Sequence, residues 1–377
     1  MTPRKLTVLQ LLPSLNGGGV ERGTLEVADH LVKHGHRSLV MSAGGRMVEQ
    51  LTREGSEHYL WPVDQKSLWT LRLIWKLRRF LVENKVDILH VRSRMPAWVA
   101  YLAWKGMPPE TQPHLVTTVH GLYSVSAYSA VMTKGERVIA VSETVRDYLL
   151  RHYSAVAANH IRVIPRGVDP DVFPYGFKPS EEWLEAWQKQ YPQLAGKKVL
   201  LLPGRLTRLK GHEFFIELIG RLKKRGLPVH GLVVGGEDPK RQRYAAELRQ
   251  KLADADLADD MTFAGHRSDL REIMAVSDMV FSLSTKPESF GRTTLEALSL
   301  GVPVVGFAHG GVGEQLAHLL PQGAIPLGDI NSLETLAAEW VETPPQVPQS
   351  HVFTLQRMLD STLAVYEELT VRGPVSN

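Results

Sequence analysis

Two glutamates eight positions apart, Glu288 and Glu296, are the pair of residues in this sequence that most clearly suggests a functional site. An apolar run over 279–283 predicts a strand, so Glu288 falls in the loop after it and Glu296 one turn into a following helix. Carboxylates accept hydrogen bonds from hydroxyls, and the first N–H groups of a helix bind anions. The pattern therefore predicts a site for sugar or ribose hydroxyls beside an anion, although exposed helix glutamates alone are common. The candidate residues are Glu288, Ser289, Phe290, Gly291, Arg292, Thr293 and Glu296.

Two cations five positions apart, Arg205 and Lys210, lie between Gly204 and Gly211. They follow an apolar run that predicts a strand, and cations at a strand end can converge on a pyrophosphate. Arginine binds such a group through two hydrogen bonds, whereas lysine acts as a point charge. We predict a diphosphate site here; the alternative is a solvated basic loop.

A glycine run, Gly17 to Gly19, separates the first predicted strand from its helix. Glycines at this position allow a phosphate to approach backbone N–H groups at a helix N-terminus, with Gly18 and Gly19 as the candidates. The run does not match the dinucleotide-binding pattern G-x-G-x-x-G, and no acidic residue stands at the end of a following strand. Dinucleotide binding is therefore disfavoured. The alternative is a tight turn without a ligand.

Two D-x-D sequences, 254–256 and 169–171, could suggest a divalent metal. The first lies in a charged segment that predicts a surface helix, and the second lies in a proline-rich stretch. Neither follows a predicted strand, so we expect no metal site and no metal cofactor. Arg205, Lys210 and the helix N-termini would then neutralise a diphosphate.

The segment 66–80 alternates basic residues with large apolar ones, including Trp69 and Trp75. A basic amphipathic helix with tryptophans suits an anionic membrane surface. The alternative is a surface helix whose apolar side packs into the core. The first interpretation predicts peripheral membrane contact.

Along the whole chain, short apolar runs typical of buried strands alternate with segments whose apolar residues recur at the spacing of an α-helix. This alternation predicts parallel sheets with helices between the strands. A proline-rich stretch over 169–179 divides the alternation into two series. We predict two Rossmann-like, doubly wound domains facing a cleft, with ligands at the carboxyl ends of the strands. The first comprises 1–175 and is completed by a returning C-terminal helix over 353–377; the second comprises 176–352.

The composition of the 377-residue chain excludes several classes of protein. The absence of cysteine removes disulfide scaffolds and thiol chemistry. A formal net charge of +4 is too small to argue for nucleic acid. No apolar stretch is long enough for a membrane span, and the short N-terminal run reads as a strand, so a cytoplasmic protein is expected.

Several motifs together make the sequence resemble the retaining GT-B glycosyltransferases of family 4, also called glycosyl transferases group 1. The resemblance covers nearly the whole chain. It rests on the Gly17–Arg22 segment, His120-Gly121, Ala140–Glu143, Ile164–Asp169, Gly204-Arg205 with Lys210-Gly211, the pair Glu288 and Glu296, and Gly310–Glu314. The segment after the strand over 87–91, Arg92 to Trp98, is similar to a bacterial subgroup that assembles lipopolysaccharide and capsule.

The resemblance implies a hexosyltransferase that takes a sugar from a nucleotide diphosphate donor, with a UDP-sugar expected, to a hydroxyl of a glycan or glycolipid. It implies that Arg205 and Lys210 hold the diphosphate, Glu296 the ribose, and Glu288 the transferred sugar. The backbone at Gly18 and Gly19 would close on the phosphates. His120 resembles the family histidine beside the donor sugar; its alternative is an ordinary strand-end histidine.

One residue departs from the family pattern. Arg166 stands in Pro-Arg-Gly where Pro-Asn-Gly is commoner, and it adds a cation that would contact donor phosphate or an acidic acceptor.

Two other functions remain open on these motifs: a nucleotide-sugar epimerase of the same fold, and a catalytically silent protein that binds a nucleotide sugar. The first would need further acid and base groups. The second would be expected to lack Arg205, Lys210 or Glu296, which are all present. The expected location is the cytoplasm, with peripheral contact at the cytoplasmic face of the inner membrane as a hypothesis.

Overall fold

The computed structural model describes residues 4–65, 70, 72–237 and 242–371. It divides into two compact units, one running to Arg166 and resuming at Gln356, the other comprising Gly167–Leu355. The first unit ends earlier than residue 175, the predicted boundary, because the next segment bonds to the second unit. The Val168 N–H donates to the carbonyl oxygen of Phe353 over 3.1 Å.

A seven-stranded parallel sheet, in the order β3-β2-β1-β4-β5-β6-β7, forms the centre of the first unit within the described residues. Its strands are β1 (Thr7–Leu11), β2 (Arg37–Ser42), β3 (Glu57–Leu60), β4 (Ile88–Val91), β5 (His114–Val119), β6 (Arg137–Ala140) and β7 (Ile161–Val163). The helices between them are α1 (Gly19–Lys33), α2 (Val48–Arg53), α3 (Arg72–Glu83), α4 (Arg94–Lys105) and α5 (Glu143–His152). The central strands are buried along their length, as expected for a parallel sheet covered on both faces.

The helix predicted over 66–80 is described only from Arg72, and it continues to Glu83. Residues 66–69 and 71, which include Trp69, lie outside the described residues. Leu73, Leu77 and Phe80 are buried, whereas Trp75 is 72% exposed. The helix therefore packs one side into the core and turns one tryptophan outward.

The second unit has a six-stranded parallel sheet in the order β10-β9-β8-β11-β12-β13 within its described residues. The strands are β8 (Lys198–Pro203), β9 (Val229–Val234), β10 (Met261–Phe263), β11 (Met279–Ser282), β12 (Val304–Phe307) and β13 (Ala324–Ile325). The helices are α6 (Glu181–Gln190), α7 (His212–Lys224), α8 (Gln242–Asp254), α9 (Leu270–Ala275), α10 (Arg292–Ser299), α11 (Gly310–Leu319) and α12 (Ile330–Glu342). The two sheets confirm the predicted α/β architecture.

The last helix, α13 (Leu355–Val371), packs on the first unit, as predicted for a returning C-terminal helix. Its Tyr366 hydroxyl is completely buried and lies 2.6 Å from Nδ1 of His90 on β4. Its Glu368 carboxylate accepts hydrogen bonds from Arg137 and Arg162, with closest distances of 2.7 and 2.8 Å. One carboxylate thus ties the helix to strands β6 and β7.

The Glu368 contacts predict an acid-sensitive contribution to stability. Hydrogen bonds from Arg137 and Arg162 lower the pKa of Glu368 to about 2, from the 4.5 of a free carboxyl group. The folded state therefore gains stability above about pH 5, and the gain disappears as the pH falls towards about 2. Since the carboxylate remains partly solvated, we expect about 1–2 kcal/mol.

Chemical denaturation across this pH range checks the Glu368 prediction. Glu368→Gln should unfold more easily than the wild type at pH 7, and the difference should disappear near pH 2. The exposed pair of Arg79 and Glu83 on α3 provides the control, because Glu83→Gln should change little at either pH. An equal deficit for Glu368→Gln at both pH values would contradict the prediction.

Candidate functional site

The predicted diphosphate loop and the first predicted glutamate meet at the carboxyl edge of the second sheet. Lys210 ends a short 3₁₀ turn after β8, and Glu288 lies in the loop after the neighbouring strand β11. The Lys210 Nζ atom is 2.7 Å from Oε1 of Glu288. Two residues that are remote in sequence therefore form one ion pair where ligands bind in open α/β sheets.

Two further side chains organise this ion pair, and neither stood out in the sequence. The Ser284 hydroxyl donates to the Glu288 carboxylate, and Nε2 of His309 donates to the Ser284 carbonyl oxygen over 2.7 Å. Burial would raise the pKa of Glu288, but the charge and hydrogen bond of Lys210 and the hydrogen bond from Ser284 hold it below its usual value. The carboxylate is therefore ionised at neutral pH and fixed as a hydrogen-bond acceptor.

The backbone around the pair is closely packed, and glycines make this packing possible. Gly211 has φ 72°, and a Cβ atom there would overlap the carbonyl oxygen of Leu283. The Thr285 N–H donates to the Leu209 carbonyl oxygen over 2.8 Å, which joins the two loops directly. Main-chain contacts therefore fix the backbone segments that carry the Lys210 and Glu288 side chains.

The second predicted glutamate lies on α10, as its spacing indicates. Gly291 precedes the helix with φ 86°, Arg292 is its first residue, and Glu296 follows one turn later. Glu296 is 7% exposed, and Nε of Arg292 lies 3.1 Å from its Oε1. The helix N-terminus thus presents backbone N–H groups close to a buried carboxylate.

The other predicted donor residues of this unit lie in the same two loops or at the start of α10. Arg205 is exposed directly after β8. Ser289 and Thr293 are half-buried, and Phe290 is buried with its carbonyl oxygen accepting from Gln315 over 2.5 Å. The arrangement can surround an anion with a lysine, an arginine and helix N–H groups, and can offer two carboxylates to hydroxyls.

In the first unit, the predicted glycine run lies at the carboxyl end of β1. Gly18 precedes α1 with φ 157°, and no atom lies within 4 Å of where a Cβ of Gly19 would be. Arg46 covers Gly17 and donates to the carbonyl oxygen of Asn16. The backbone at Gly19 is thus accessible, as a phosphate-binding helix N-terminus requires.

His120 and Arg166 are neighbours at the carboxyl edge of the first sheet. His120 follows β5, Arg166 follows β7, and Nη2 of Arg166 is 2.9 Å from Nδ1 of His120. Burial, followed by the charges of Arg166 and Arg92, puts the pKa of His120 well below its usual value. His120 is therefore neutral at physiological pH.

A buried polar network lies near this pair, and no feature of the sequence indicated it. The completely buried His90 contacts the Tyr366 hydroxyl through Nδ1 and the Thr118 hydroxyl through Nε2, both over 2.6 Å. The neighbouring Arg92, 2% exposed, donates from Nε to the side chain of Gln10 over 2.8 Å. The network connects β1, β4 and β5 to α13.

The two D-x-D sequences lie outside any cluster of potential metal ligands in the described part of the chain. Asp256 is fully exposed beside Lys223, and Asp169 accepts a hydrogen bond from the Asp171 N–H over 2.9 Å. The ranges that the structure describes contain no group of three or more histidine, aspartate or glutamate side chains that could hold a metal ion. Nor does a helix in these ranges have the length and hydropathy needed to cross a membrane.

Two family models match consecutive parts of the chain. The model of Glycosyltransferase Family 4 matches residues 17–172, and the model of Glycosyl transferases group 1 matches residues 185–351. The first match contains His120 and Arg166, and the second contains Lys210, Glu288 and Glu296.

The curated proteins that are similar to this chain include two synthases and a mannosyltransferase. A mannosylfructose-phosphate synthase of Agrobacterium fabrum is 31% identical over 48% of this chain and 40% of its own length. An N-acetyl-alpha-D-glucosaminyl L-malate synthase of Bacillus anthracis is 26% identical over 81% of this chain and 79% of its own. A lipopolysaccharide core biosynthesis mannosyltransferase, LpsB, of Rhizobium meliloti is 26% identical over 59% of this chain and 68% of its own.

Solved structures of the same fold match almost the whole chain. A glycosyltransferase from Rickettsia africae is 29% identical with a TM-score of 0.83, over 98% of this chain and 99% of that one. Alr3699/HepE of Anabaena, solved with UDP and glucose, has a TM-score of 0.76 at 20% identity, over 96% of this chain and 100% of that one. The chain therefore belongs to the family 4, group 1 glycosyltransferases and has their GT-B fold.

Proposed function

We propose that this protein is a retaining glycosyltransferase that moves a sugar from a nucleotide diphosphate sugar to a hydroxyl group. The ion pair of Lys210 and Glu288 at the carboxyl edge of the second sheet carries the proposal. It joins a cation suited to a diphosphate to an ionised acceptor suited to sugar hydroxyls, and it does so at 2.7 Å. Membership of the family supports the same reaction class.

In the proposed complex, the second unit holds the donor. Lys210 and Arg205 bind the diphosphate, together with the N–H groups that begin α10. Glu296 accepts from the ribose hydroxyls, and Glu288 accepts from the hydroxyls of the transferred sugar. The loop residues Ser289, Phe290 and Gly291 and the first two residues of α10, Arg292 and Thr293, complete this part of the proposed site. For the first unit by itself, we propose that the backbone at Gly18 and Gly19 can bind phosphate and that the His120 side chain can contact a sugar.

The reaction begins with cleavage of the bond between the anomeric carbon and the diphosphate, whose developing negative charge Lys210 and Arg205 stabilise. The acceptor hydroxyl attacks on the face that the diphosphate leaves, and its proton passes to the departing phosphate oxygen. This course retains the anomeric configuration. We assign no protein nucleophile and no covalent intermediate.

The nucleotide of the donor and the pathway of the acceptor can be proposed more specifically. We propose a UDP-sugar, since UDP is the nucleotide in a solved protein of the same fold. We propose a glycan or glycolipid acceptor in bacterial surface polysaccharide synthesis, because the relatives include the mannosyltransferase LpsB.

A panel of UDP-, GDP- and ADP-sugars tests the proposed function. One nucleotide class should raise the melting temperature and be hydrolysed slowly, and the released sugar should keep its anomeric configuration when followed by NMR. Full turnover is expected in excess EDTA. Loss of turnover that Mn²⁺ restores would overturn metal independence, and an epimerised nucleotide sugar would favour the epimerase. Binding of a nucleotide sugar without any turnover, with acceptors present, would favour a silent binding protein.

We also propose peripheral membrane contact through α3, at the cytoplasmic face of the inner membrane. The exposed Trp75 ring lies 4.7 Å from the Arg78 guanidinium carbon, and Lys76 and Arg79 are exposed nearby. Tryptophan with surrounding cations suits the interface of an anionic bilayer.

Sedimentation with vesicles checks the membrane proposal. The wild type should bind vesicles that contain anionic phospholipid and not purely zwitterionic ones, and Trp75→Ala should reduce this binding several-fold. Leu60→Ala is the matched control, because Leu60 is similarly exposed on β3 of the same unit. Undiminished binding of Trp75→Ala would mean that this helix has no membrane role.

A further inference from the structure

Arg166 is held on several sides within the first unit. Its Nη2 atom lies 2.9 Å from Nδ1 of His120 and 3.4 Å from the carbonyl oxygen of Gly19. Its Nη1 atom lies 3.7 Å from the sulfur of Met358 on α13. The guanidinium is thus directed towards the imidazole and the first turn of α1.

A glycine inside α1 makes room for this arrangement. Gly23 lies in the second turn of the helix, an interior position where glycine is unfavourable compared with alanine. A Cβ atom at this position would overlap the guanidinium of Arg166. The helix therefore has at Gly23 the one residue type that lets the guanidinium of Arg166 lie this close to it.

The contact determines which nitrogen of His120 carries the proton. Arginine has only donors, so Nδ1 must accept from Nη2 through its lone pair. A neutral imidazole with an acceptor at Nδ1 has its hydrogen on Nε2. His120 can then donate from Nε2, but neither of its nitrogens can take a proton from an acceptor hydroxyl.

We propose that Arg166 is a positioning residue that fixes His120 as the Nε2–H tautomer, so that the imidazole meets the substrate as a hydrogen-bond donor and not as a base. The role differs from direct phosphate binding by Arg166. It rests on the proposed function only for the identity of the group that His120 contacts.

The electrostatic surroundings support the same state of His120. Burial, and then the charges of Arg166, Arg92 and His90, lower the pKa of His120 and so disfavour its protonation, and Tyr123 contacts its backbone. Removal of Arg166 takes away the closest of these charges and the donor at Nδ1. The imidazole should then become a mixture of tautomers and accept a proton more readily.

NMR of the full chain labelled with ¹⁵N-histidine tests the proposal without any substrate, and His120→Asn identifies the signal. The wild type should show the Nε2–H tautomer without titration between about pH 5 and 8. Arg166→Met, which preserves packing on Met358, should populate the Nδ1–H tautomer or titrate, and Arg166→Lys should restore the original state. Arg162→Met is the matched control, because Arg162 pairs with Glu368 instead.

A second variant covers the case in which Arg166→Met does not fold. Gly23→Ala keeps both residues and favours the helix, but its methyl group should displace the guanidinium and release the tautomer in the same way. An Nδ1–H tautomer or a titrating His120 in the wild type would overturn the proposal. So would an unchanged His120 signal in Arg166→Met or, where that variant does not fold, in Gly23→Ala.

Kinetics separates this proposal from the proposed function. In Arg166→Met, kcat should fall about 10- to 100-fold with little change in KM for the donor, and an acid limb should appear in the pH profile. If the wild type transfers no sugar, the proposed function fails, whereas the tautomer measured by NMR still decides the role of Arg166.

Discussion

Lys210→Met should lower kcat/KM for sugar transfer by about 10²–10³-fold, because the ammonium group is proposed to stabilise the charge that develops on the leaving diphosphate. Affinity for the free nucleoside diphosphate should fall about 10- to 100-fold, as expected when a charged hydrogen bond is lost. Glu288 would also lose the partner 2.7 Å away, and its pKa should rise. Isothermal titration with nucleoside diphosphate and steady-state kinetics measure these effects.

Arg208→Met is the matched control for this prediction. Arg208 belongs to the same 3₁₀ turn, but it is exposed and pairs with Glu213 and Glu247, away from Glu288. Its replacement should change affinity and rate less than about 3-fold. If Arg208→Met weakens nucleotide binding as much as Lys210→Met does, general positive charge and not the Lys210 position holds the diphosphate.

Gly211→Ala should destabilise the second unit by about 3 kcal/mol and should also impair nucleotide binding. The positive φ of 72° costs an alanine about 1–2 kcal/mol. The methyl group also overlaps the Leu283 carbonyl oxygen, and relief of this overlap would move the backbone that carries Lys210. Denaturant unfolding gives the loss of stability, and calorimetry on the folded fraction gives the loss of affinity.

The variant Gly226→Ala separates the cost of the positive φ from the cost of the overlap with Leu283. Gly226 follows the other end of α7 with nearly the same φ, 75°, but no atom lies within 4 Å of its Cβ position. It should therefore lose only the backbone contribution of about 1–2 kcal/mol and bind nucleotide normally. Equal losses of stability in the two variants would show that the contact with Leu283 has no energetic role.

The sequence predicts most of the architecture, because buried parallel strands are continuous apolar runs and the turns between them contain glycine or proline. It does not predict β3, where Glu57 and His58 interrupt the apolar pattern of an edge strand. The domain boundary also lies earlier than the sequence predicts, since the backbone hydrogen bond from Val168 to Phe353 joins residues far apart in sequence.

The candidate site shows the same limit. The sequence identifies Glu288 and Lys210 separately, because each lies in a loop with a distinctive composition. Their ion pair depends on the adjacency of β8 and β11, which spacing along the chain does not give. Ser284 and His309 carry no local signal, since the hydrogen bond from Ser284 to Glu288 and the one from His309 to Ser284 form only in the folded chain. The orientation of Arg166 depends on the absence of a side chain at Gly23, a packing relation that no motif records.

The attachment of α13 has a consequence for the order in which the protein folds during synthesis. Tyr366 packs against His90 and Glu368 pairs with Arg137, both in the first unit. These two residues of α13 leave the ribosome after every residue of the second unit. The second unit can therefore complete its sheet while the earlier-synthesised one still exposes the face that α13 will cover. Domains generally fold as units from the N-terminus. In this chain the order of completion is reversed, and the unit that is translated first is finished last.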